Sequence, residues 1–177
     1  LLQLWSWQSQ GLQLVQQQLI TSRVVEDLCF YHSNDNQQLS LFLLGDRGGA
    51  DQLLLQQQGR WLKQPLRIRE LSVPYDSKAC AVDQARGQLY LSEHSQAIWR
   101  YQAEPEADEG RQLLQVKQPF GVIAGEIVSL TVLPDGSLLA LEEEPGRVLH
   151  LQWPELASGQ LDQSVAAQVT TQPLGGE

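Results

Sequence analysis

The segment SKACAVDQARGQLYLSEHSQAIWRY, residues Ser77–Tyr101, decides the fold of this chain. It contains an apolar run at Ala79–Val82, a turn that ends at Gly87 and an alternating run at Leu89–Leu91. The polar stretch Ser92–Gln96 follows, and a third apolar run comes directly after it. Short runs of this kind, separated by turn residues, are typical of antiparallel β-strands. The segment therefore predicts three consecutive strands joined by tight turns.

The same pattern occurs on both sides of this segment, at an offset of about 50 residues. Gln88–Glu93 resembles Leu39–Asp46 upstream and Ser137–Glu142 downstream. No segment shows the spacing of apolar residues that an amphipathic helix requires. A repeat of about 50 residues built from short strands is typical of a β-propeller, whose blades have four strands each. The sequence therefore predicts an all-β chain.

The repeat predicts a partial β-propeller of about three to four four-stranded blades, within a single domain that spans residues 1–177. Blades are expected near residues 24–75, 76–125 and 126–177, and residues 1–23 are expected to supply strands of a further blade. We expect Val165–Val169 to supply a closing strand. Closed propellers have about four to eight blades, so this chain should have an open edge.

Charge and composition restrict the classes of partner. The chain has 177 residues and a formal net charge of −9, which disfavours nucleic acids and anionic membranes. No run approaches the roughly 20 apolar residues of a membrane span. The chain contains no methionine, so we expect it to be a piece of a longer protein whose localisation is not encoded at its N-terminus.

Cys29 and Cys80 are the two cysteines of the chain, and each lies in the first apolar run of its repeat. Two interpretations are open. The first, and the expected one, is a pair of buried free thiols. The second is a disulfide between adjacent repeats in a secreted protein, which two cysteines alone do not establish.

With the repeats placed, the chain resembles the β-propeller phytase family, calcium-dependent phosphatases of inositol hexakisphosphate. AVDQARGQLYLSE at residues 81–93, followed by AIWRY at 97–101 and AEP at 103–105, resembles the family block ADDE·G·LYIAEED·AIWKF·AEP. LCFYHS at residues 28–33 resembles the family strand GFSLYHS, and IVSLT at 127–131 more weakly resembles IEGLTIY. The resemblance covers about residues 22–155, or three blades of a family whose full ring has six.

The resemblance implies carboxylates that bind several Ca²⁺ ions, which clamp substrate phosphates and activate water. Glu93 corresponds to the first of two adjacent acidic residues in the family, and Glu126 to one carboxylate of another pair. These two residues are therefore the predicted metal ligands. Lys78 and Val128 stand where the family has acidic ligands, and a lysine there would repel Ca²⁺. We therefore expect the multi-calcium centre to be lost.

The candidates for contacting substrate phosphate are Lys78 and Arg47. Arg47 follows Asp46, which occupies the position of a phosphate-binding lysine of the family. A further departure is Glu26, which replaces the tyrosine of the family motif VYGF.

Two functions are compatible with these residues. The first is an accessory, catalytically degenerate phytase-like domain of a parent protein that hydrolyses phosphate monoesters of inositol hexakisphosphate. The alternative is a binding or docking module with no hydrolase role. The resemblance also implies a secreted or periplasmic protein, and the open edge predicts pairing with an adjacent propeller domain of the same parent or with a second copy.

Two further groups of residues are expected to be structural. The run Glu142–Glu144 is expected to be a solvated charge cluster rather than an acidic rim that binds Ca²⁺ together with Glu93. The tryptophans are expected to pack in the core or between blades. They are Trp5, Trp7, Trp61, Trp99 and Trp153.

Overall fold

A computed structural model describes residues 2–18, 24–33, 36–108, 110–154 and 167–174 of the chain. Every helix or strand assigned in these ranges is a β-strand. The strands form three four-stranded antiparallel sheets and one two-stranded sheet, which confirms the predicted all-β, propeller-like class. The described ranges contain no helix with the length and apolar character needed to cross a membrane.

Each four-stranded sheet, called a blade below, is built from strands that follow one another in chain order. The first two strands, β1 (Leu2–Gln8) and β2 (Gly11–Gln18), form a separate hairpin. Blade 1 contains β3 (Val25–Ser33), β4 (Gln38–Gly45), β5 (Gly49–Gln57) and β6 (Arg60–Ser72). Blade 2 contains β7 (Ser77–Asp83), β8 (Gln88–Glu93), β9 (Ala97–Gln102) and β10 (Arg111–Val116). Blade 3 contains β11 (Ile127–Val132), β12 (Leu138–Glu142), β13 (Arg147–Gln152) and β14 (Gln168–Pro173).

The turn between the first and second strands is made by an aspartate and a glycine in blades 2 and 3. In blade 2 the carboxylate of Asp83 accepts hydrogen bonds from the backbone N–H groups of Ala85 and Arg86, and Gly87 follows at a φ of 60°. In blade 3 Asp135 accepts from the N–H of Ser137. Aspartate favours such turns because its side chain can bond the backbone two residues later.

The outermost strand of each blade lacks a clear pattern in the sequence. β6 and β10 are mostly exposed or half-buried, because an outer strand has one sheet neighbour and faces solvent. β6 also contains Pro65, which has no N–H and is tolerated on an edge strand. The predicted strand at Val165–Val169 lies partly outside the described residues. Its last two residues belong to β14, which is the outer strand of blade 3.

The apolar core lies between the blades, because alternate residues of each central strand point to opposite faces. In β4, Phe42 packs in the cluster shared with blade 2, whereas Leu41 packs on the opposite face in a cluster that Leu2 of the hairpin contacts. In β8, Leu89 faces blade 1 and Tyr90 faces blade 3. The ring of Tyr90 stacks on Trp153, with ring centroids 6.1 Å apart. Each central strand of blades 1 and 2 is therefore buried on both faces.

The first strand of each blade contacts the first strand of the next, so that β7 lies between β3 and β11. These strands have a sheet partner on one side only, and side chains bond backbone groups across the gap. Asp27 Oδ2 accepts a hydrogen bond from the N–H of Cys80 at 2.8 Å. Ser92 Oγ accepts from the N–H of Ala79 at 2.9 Å and donates to the carbonyl of Ile127 at 3.2 Å. Backbone groups that no strand pairs are thus satisfied from a neighbouring strand or blade.

A disulfide joins Cys29 of β3 to Cys80 of β7. The expectation of free thiols is therefore wrong. The physical reason is the packing of the two first strands against each other, which brings the Cα atoms to 6.1 Å, within the range that a disulfide spans. The bond links blade 1 covalently to blade 2 inside the apolar layer that the two blades share.

We predict that removing the disulfide, by reduction or in the double variant Cys29→Ser, Cys80→Ser, lowers the free energy of unfolding by about 4 kcal/mol. The reason is that the bond closes a loop between residues separated by 51 positions, which restricts the unfolded chain. Urea unfolding with and without a dithiol reductant measures the effect. The serine variant is the control, since reductant should not change its midpoint; an equal response of both proteins would contradict the prediction.

Candidate functional site

The predicted site residues lie at one end of the blades, called the upper rim below. Ser77 at the start of β7 pairs with Glu93 at the end of β8, and Ile127 at the start of β11 pairs with Glu142 at the end of β12. The upper rim is therefore formed by the beginnings of the first strands and by the turns between second and third strands. It carries Arg47, Lys78, Glu93 and Glu126.

Lys78 is held by an ion pair between blades 1 and 2. Its Nζ atom lies 3.2 Å from the Oε2 atom of Glu26 on β3, and both side chains are about three-quarters buried. These are two positions at which the chain departs from the family pattern, one from an acidic residue and one from tyrosine. The two departures compensate each other in charge. This compensation was present in the sequence, but comparing one position at a time with the family did not reveal it.

Glu93 is engaged within its own blade. Its Oε2 atom accepts a hydrogen bond from Nε1 of Trp99 at 2.7 Å. The ring of Trp99 in turn lies beneath the guanidinium group of Arg111, whose Cζ is 4.2 Å from the ring centroid. One oxygen of the predicted ligand therefore has a neutral donor and is fixed against the sheet.

Glu126 lies next to His94, which belongs to blade 2. The Nε2 atom of His94 is 3.6 Å from Oε2 of Glu126. The backbone of His94 connects the blades, because its N–H donates to the carbonyl of Asp76 and its carbonyl accepts from the N–H of Ile127. His94 has a φ of 37°, in the left-handed region that non-glycine residues rarely occupy. His94 is therefore a fixed part of the junction between blades 2 and 3.

Between blades 2 and 3 the upper rim contains an open cleft of about 320 Å³. The charged or titratable side chains that line it are His94, Glu126, Glu143 and Glu144. No lysine or arginine is among its lining residues in the described part of the chain. The cleft therefore carries negative charge, which repels a phosphate group unless cations intervene.

Glu142 is fully buried, so the expectation that Glu142–Glu144 forms a solvated cluster is wrong at its first residue. Its carboxylate accepts hydrogen bonds from the N–H groups of Ala124 at 2.6 Å and Gly125 at 3.0 Å and from Nε of Arg147. Burial acts to raise the pKa of Glu142, but the bonds from Arg147 and the two N–H groups outweigh it, and the pKa lies below its usual range. This carboxylate is committed to holding the loop before β11.

Arg47 is exposed at the tip of the β4–β5 turn, and its nearest carboxylate is its own neighbour Asp46, at 3.7 Å. The ammonium group of Lys78 is bound to Glu26 instead. The roles of these two cations in binding phosphate stay predictions.

The residues at the upper rim do not fit the calcium centre that the resemblance implies. Among the described residues, the one group of three possible ligand atoms within 4.8 Å of one another consists of Asp27, Cys29 and Cys80. The two cysteines are joined in the disulfide, which leaves a single carboxylate. Neither Glu93 nor Glu126 belongs to such a group. Because Ca²⁺ takes about six to eight oxygen ligands, these residues do not build its site.

Comparison with known families supports the resemblance noted in the sequence. The model of the family described as Phytase matches residues 10–137, which include blades 1 and 2 and the beginning of blade 3. No curated protein matches the chain significantly in sequence.

Solved structures share the fold at low sequence identity. A protein of unknown function from Bacteroides thetaiotaomicron superposes with a TM-score of 0.51 at 14% identity, over 80% of this chain and 33% of its own. The extracellular domain of the hybrid two-component system BT4673 of B. thetaiotaomicron gives 0.55 at 12% identity, over 97% and 19%. The WD40 domain of SCAP from fission yeast gives 0.52 at 14% identity, over 94% and 44%. The chain thus spans less than half the length of each of these structures.

We predict that Glu142→Gln lowers the free energy of unfolding by about 2 kcal/mol at pH 7, because a charge-assisted bond to Arg147 is lost. The pKa of Glu142 is depressed in the folded state, so its contribution is complete above the unfolded value of about 4.3 and is lost as the pH falls below it. Urea unfolding at pH 7 and at about pH 3 measures the free energy of unfolding of the unchanged protein and of Glu142→Gln. The difference between these two free energies should be smaller at acid pH. A difference that does not change with pH would contradict this.

Other acidic groups change the pH dependence of stability equally in the unchanged protein and in Glu142→Gln, so their effect cancels in that comparison. Hydrogen bonds from the Ser137 hydroxyl and backbone lower the pKa of Asp135, which therefore also contributes acid sensitivity, but equally in both proteins.

We predict that Gly125→Ala destabilises the protein by about 3 kcal/mol, because a Cβ atom at residue 125 would overlap the backbone carbonyl of Glu144. Gly110→Ala is the matched control, since nothing lies within 4 Å of a Cβ placed there. Thermal unfolding of the two variants measures the difference. Equal melting temperatures would show that the loop before β11 does not pack against the β12–β13 turn.

Proposed function

The chain belongs to the phytase family, and from this premise we propose that it is an accessory, catalytically inactive β-propeller domain of a protein that hydrolyses phosphate monoesters of inositol hexakisphosphate. The parent activity is inferred from the family. The inactivity of this domain is inferred from the upper rim.

One observation carries the proposal: carboxylates of the upper rim are matched with basic side chains of the chain itself. Glu26 is paired with Lys78, and the buried Glu142 is paired with Arg147. Glu126 has His94 beside it. In a calcium-dependent site several carboxylates would have to converge and remain free to bind metal. Here Lys78 and Arg147 place positive charge at the same rim, which would repel Ca²⁺, and the predicted ligands Glu93 and Glu126 contact Trp99 and His94 instead of converging.

The charge of the cleft between blades 2 and 3 also supports a catalytically inactive domain. Hydrolysis of a phosphate monoester requires positive charge that stabilises the transferring group, supplied in this family by bound metal. The lining of the cleft offers three glutamates and a histidine instead. Without calcium, a polyanionic substrate would be repelled from it.

The disulfide supports a secreted or periplasmic location for the parent protein. Structural disulfides persist in oxidising compartments and are rare in the reducing cytosol. The Cys29–Cys80 bond is buried in the layer between blades, as a structural disulfide would be.

A second candidate function is a binding or docking module with no hydrolase role. The observation that favours it is the set of large apolar side chains left exposed on the hairpin, among them Trp5 and Trp7. The two candidate functions lead to different expectations for the parent protein. An accessory domain should occur beside a second propeller with intact calcium ligands, and its removal should change hydrolysis of inositol hexakisphosphate by that propeller.

We predict that the chain alone releases no phosphate from inositol hexakisphosphate above a heat-denatured control at millimolar Ca²⁺, because the carboxylates of the described residues do not converge on a calcium site. Its melting temperature should also not rise with Ca²⁺, since a ligand that binds the folded state would raise it. A molybdate assay and thermal unfolding are the two measurements.

Glu93→Ala should leave both results unchanged, as should Glu106→Ala, a control that removes one exposed carboxylate from the loop at the opposite end of blade 2. Calcium-dependent turnover, or a calcium-dependent rise in melting temperature that Glu93→Ala abolishes and Glu106→Ala preserves, would overturn the proposal.

A further inference from the structure

Three side chains that carry metal-ligating atoms meet at the junction of blades 1 and 2. Asp27 and Cys29 are two positions apart on β3, so their side chains point to the same side of the strand. Both reach β7, where Asp27 bonds the N–H of Cys80 and Cys29 bonds its sulfur. One carboxylate oxygen of Asp27 and the two Sγ atoms all lie within 4.8 Å of one another. The two strands thus bring two sulfurs and one oxygen to a single place.

The disulfide decides whether these atoms are free to bind a metal ion. While the two sulfurs are bonded to each other, neither is a thiolate ligand. A dithiol transfers two electrons and two protons to the bond, which breaks it, leaves one thiol on each cysteine and oxidises the dithiol to its own disulfide. The Cα atoms of Cys29 and Cys80, 6.1 Å apart, belong to strands that are each paired within their own blade. After reduction the thiols therefore stay beside each other and beside Asp27.

The spacing of the three atoms suits a tetrahedral zinc ion. Zinc binds thiolate sulfur at about 2.3 Å and carboxylate oxygen at about 2.0–2.2 Å, and a tetrahedron with these bonds separates its ligand atoms by about 3.5–3.8 Å. The three atoms are already within 4.8 Å of one another, so small side-chain rotations are sufficient. Thiolates are ligands for zinc and for softer ions, whereas Ca²⁺ takes about six to eight oxygens. The donor set therefore selects zinc over calcium.

The carboxylate of Asp27 is held in position by the backbone. Its Oδ1 atom accepts a hydrogen bond from the N–H of Leu28, and its Oδ2 atom accepts one from the N–H of Cys80, both at 2.8 Å. A carboxylate has about four acceptor positions, so each oxygen keeps a lone pair for a metal ion. Carboxylates that bind metals are commonly fixed by such hydrogen bonds. Asp27 thus offers a ligand atom whose position does not depend on the metal.

Burial and charge at the cluster are compatible with entry of a dication. Cys29 and Cys80 are 9% and 5% exposed, whereas Asp27 is half-buried, so solvent reaches the cluster at the carboxylate. Three protein ligands leave the fourth position of a tetrahedral zinc ion to water. Lys78 is close in sequence, but its ammonium group is paired with Glu26, and the deprotonated ligands would supply three negative charges.

We propose that reduction of the Cys29–Cys80 disulfide converts the junction of blades 1 and 2 into a Zn²⁺ site, with Cys29, Cys80 and Asp27 as its protein ligands. Each thiol releases its proton when the ion binds, because zinc binds the thiolate. The disulfide and the zinc site use the same two sulfurs and exclude each other. The two blades are therefore linked by a covalent bond under oxidising conditions, and by a metal ion when the cysteines are reduced and zinc is present.

The test compares two forms of the full 177-residue chain: the oxidised chain, and a chain reduced with a dithiol that is then removed in the absence of oxygen. Competition with a chromogenic zinc chelator measures the affinity and the number of Zn²⁺ ions bound. We expect the reduced chain to bind one more equivalent of Zn²⁺ than the oxidised chain. The oxidised chain is the control for zinc held elsewhere, such as in the acidic cleft of the upper rim.

Cobalt(II) in place of zinc identifies the ligands. The reduced chain should gain a thiolate-to-metal absorption in the near ultraviolet and the visible bands of a tetrahedral cobalt ion. The oxidised chain should gain no thiolate-to-metal absorption, because its sulfurs are bonded to each other. The double variant Cys29→Ser, Cys80→Ser, treated with the same dithiol, should behave like the oxidised chain.

Asp27→Asn tests the third ligand. In the reduced chain this change should weaken Zn²⁺ binding by more than about tenfold, because a neutral amide oxygen is a poorer ligand, although it still accepts a backbone hydrogen bond. Asp76→Asn is the matched control: it removes an exposed carboxylate from the turn before β7 and leaves the cluster intact. Equal zinc affinities of the reduced unchanged chain and of Asp27→Asn would show that Asp27 is not a ligand and would overturn the proposal.

Circular dichroism during the same zinc titration follows the fold of the reduced chain. If the reduced chain is folded without zinc, Zn²⁺ should raise its melting temperature, and by less in Asp27→Asn. If it is unfolded, Zn²⁺ should restore the β-sheet signal, because metal binding then contributes to folding. The proposal is wrong if reduction adds no zinc equivalent, if cobalt gives no thiolate absorption, or if zinc binds without stabilising or restoring the fold.

Discussion

The structure depends on how the first strand of each blade is joined to the first strand of the next. β7 has one sheet neighbour, β8, so its other edge would present unpaired backbone groups to the gap between blades. Side chains pair with these backbone groups instead. Asp27 accepts a hydrogen bond from the N–H of Cys80, and Ser92 bonds both Ala79 and Ile127, which connects blade 2 to blade 3. The apolar layers can then form between sheets that these bonds hold at close distance.

The same junctions also bring charged side chains of neighbouring blades together at the upper rim. In this chain, Lys78 neutralises Glu26 across the boundary between blades 1 and 2, and His94 stands beside Glu126 across the next boundary. The first boundary is therefore held by a pair of opposite charges within the chain, whereas the cleft at the second boundary keeps the negative charge of Glu126, Glu143 and Glu144.

The sequence predicted the fold class because the central strands of each blade are buried on both faces and repeat at a constant spacing. Outer strands such as β6 could not be predicted, since their single neighbour and solvent exposure leave no strong pattern. The ion pair of Lys78 with Glu26 could not be predicted, because Glu26 lies 52 positions earlier and only the folded chain brings the two side chains together. Burial of Glu142 was missed for a similar reason, because its donors Ala124 and Gly125 come from another loop.

The Cys29–Cys80 bond also governs what happens when the backbone is cut. The turns of blade 1 and the segment leading to β7 all lie between these two residues in the sequence. A protease that cleaves any of them leaves both fragments attached through sulfur, with their strands still embedded in the shared apolar layer. In an extracellular or periplasmic setting, where proteases are abundant, a nicked molecule would keep its shape, and a single cleavage in this region would not release a fragment until the bond was reduced.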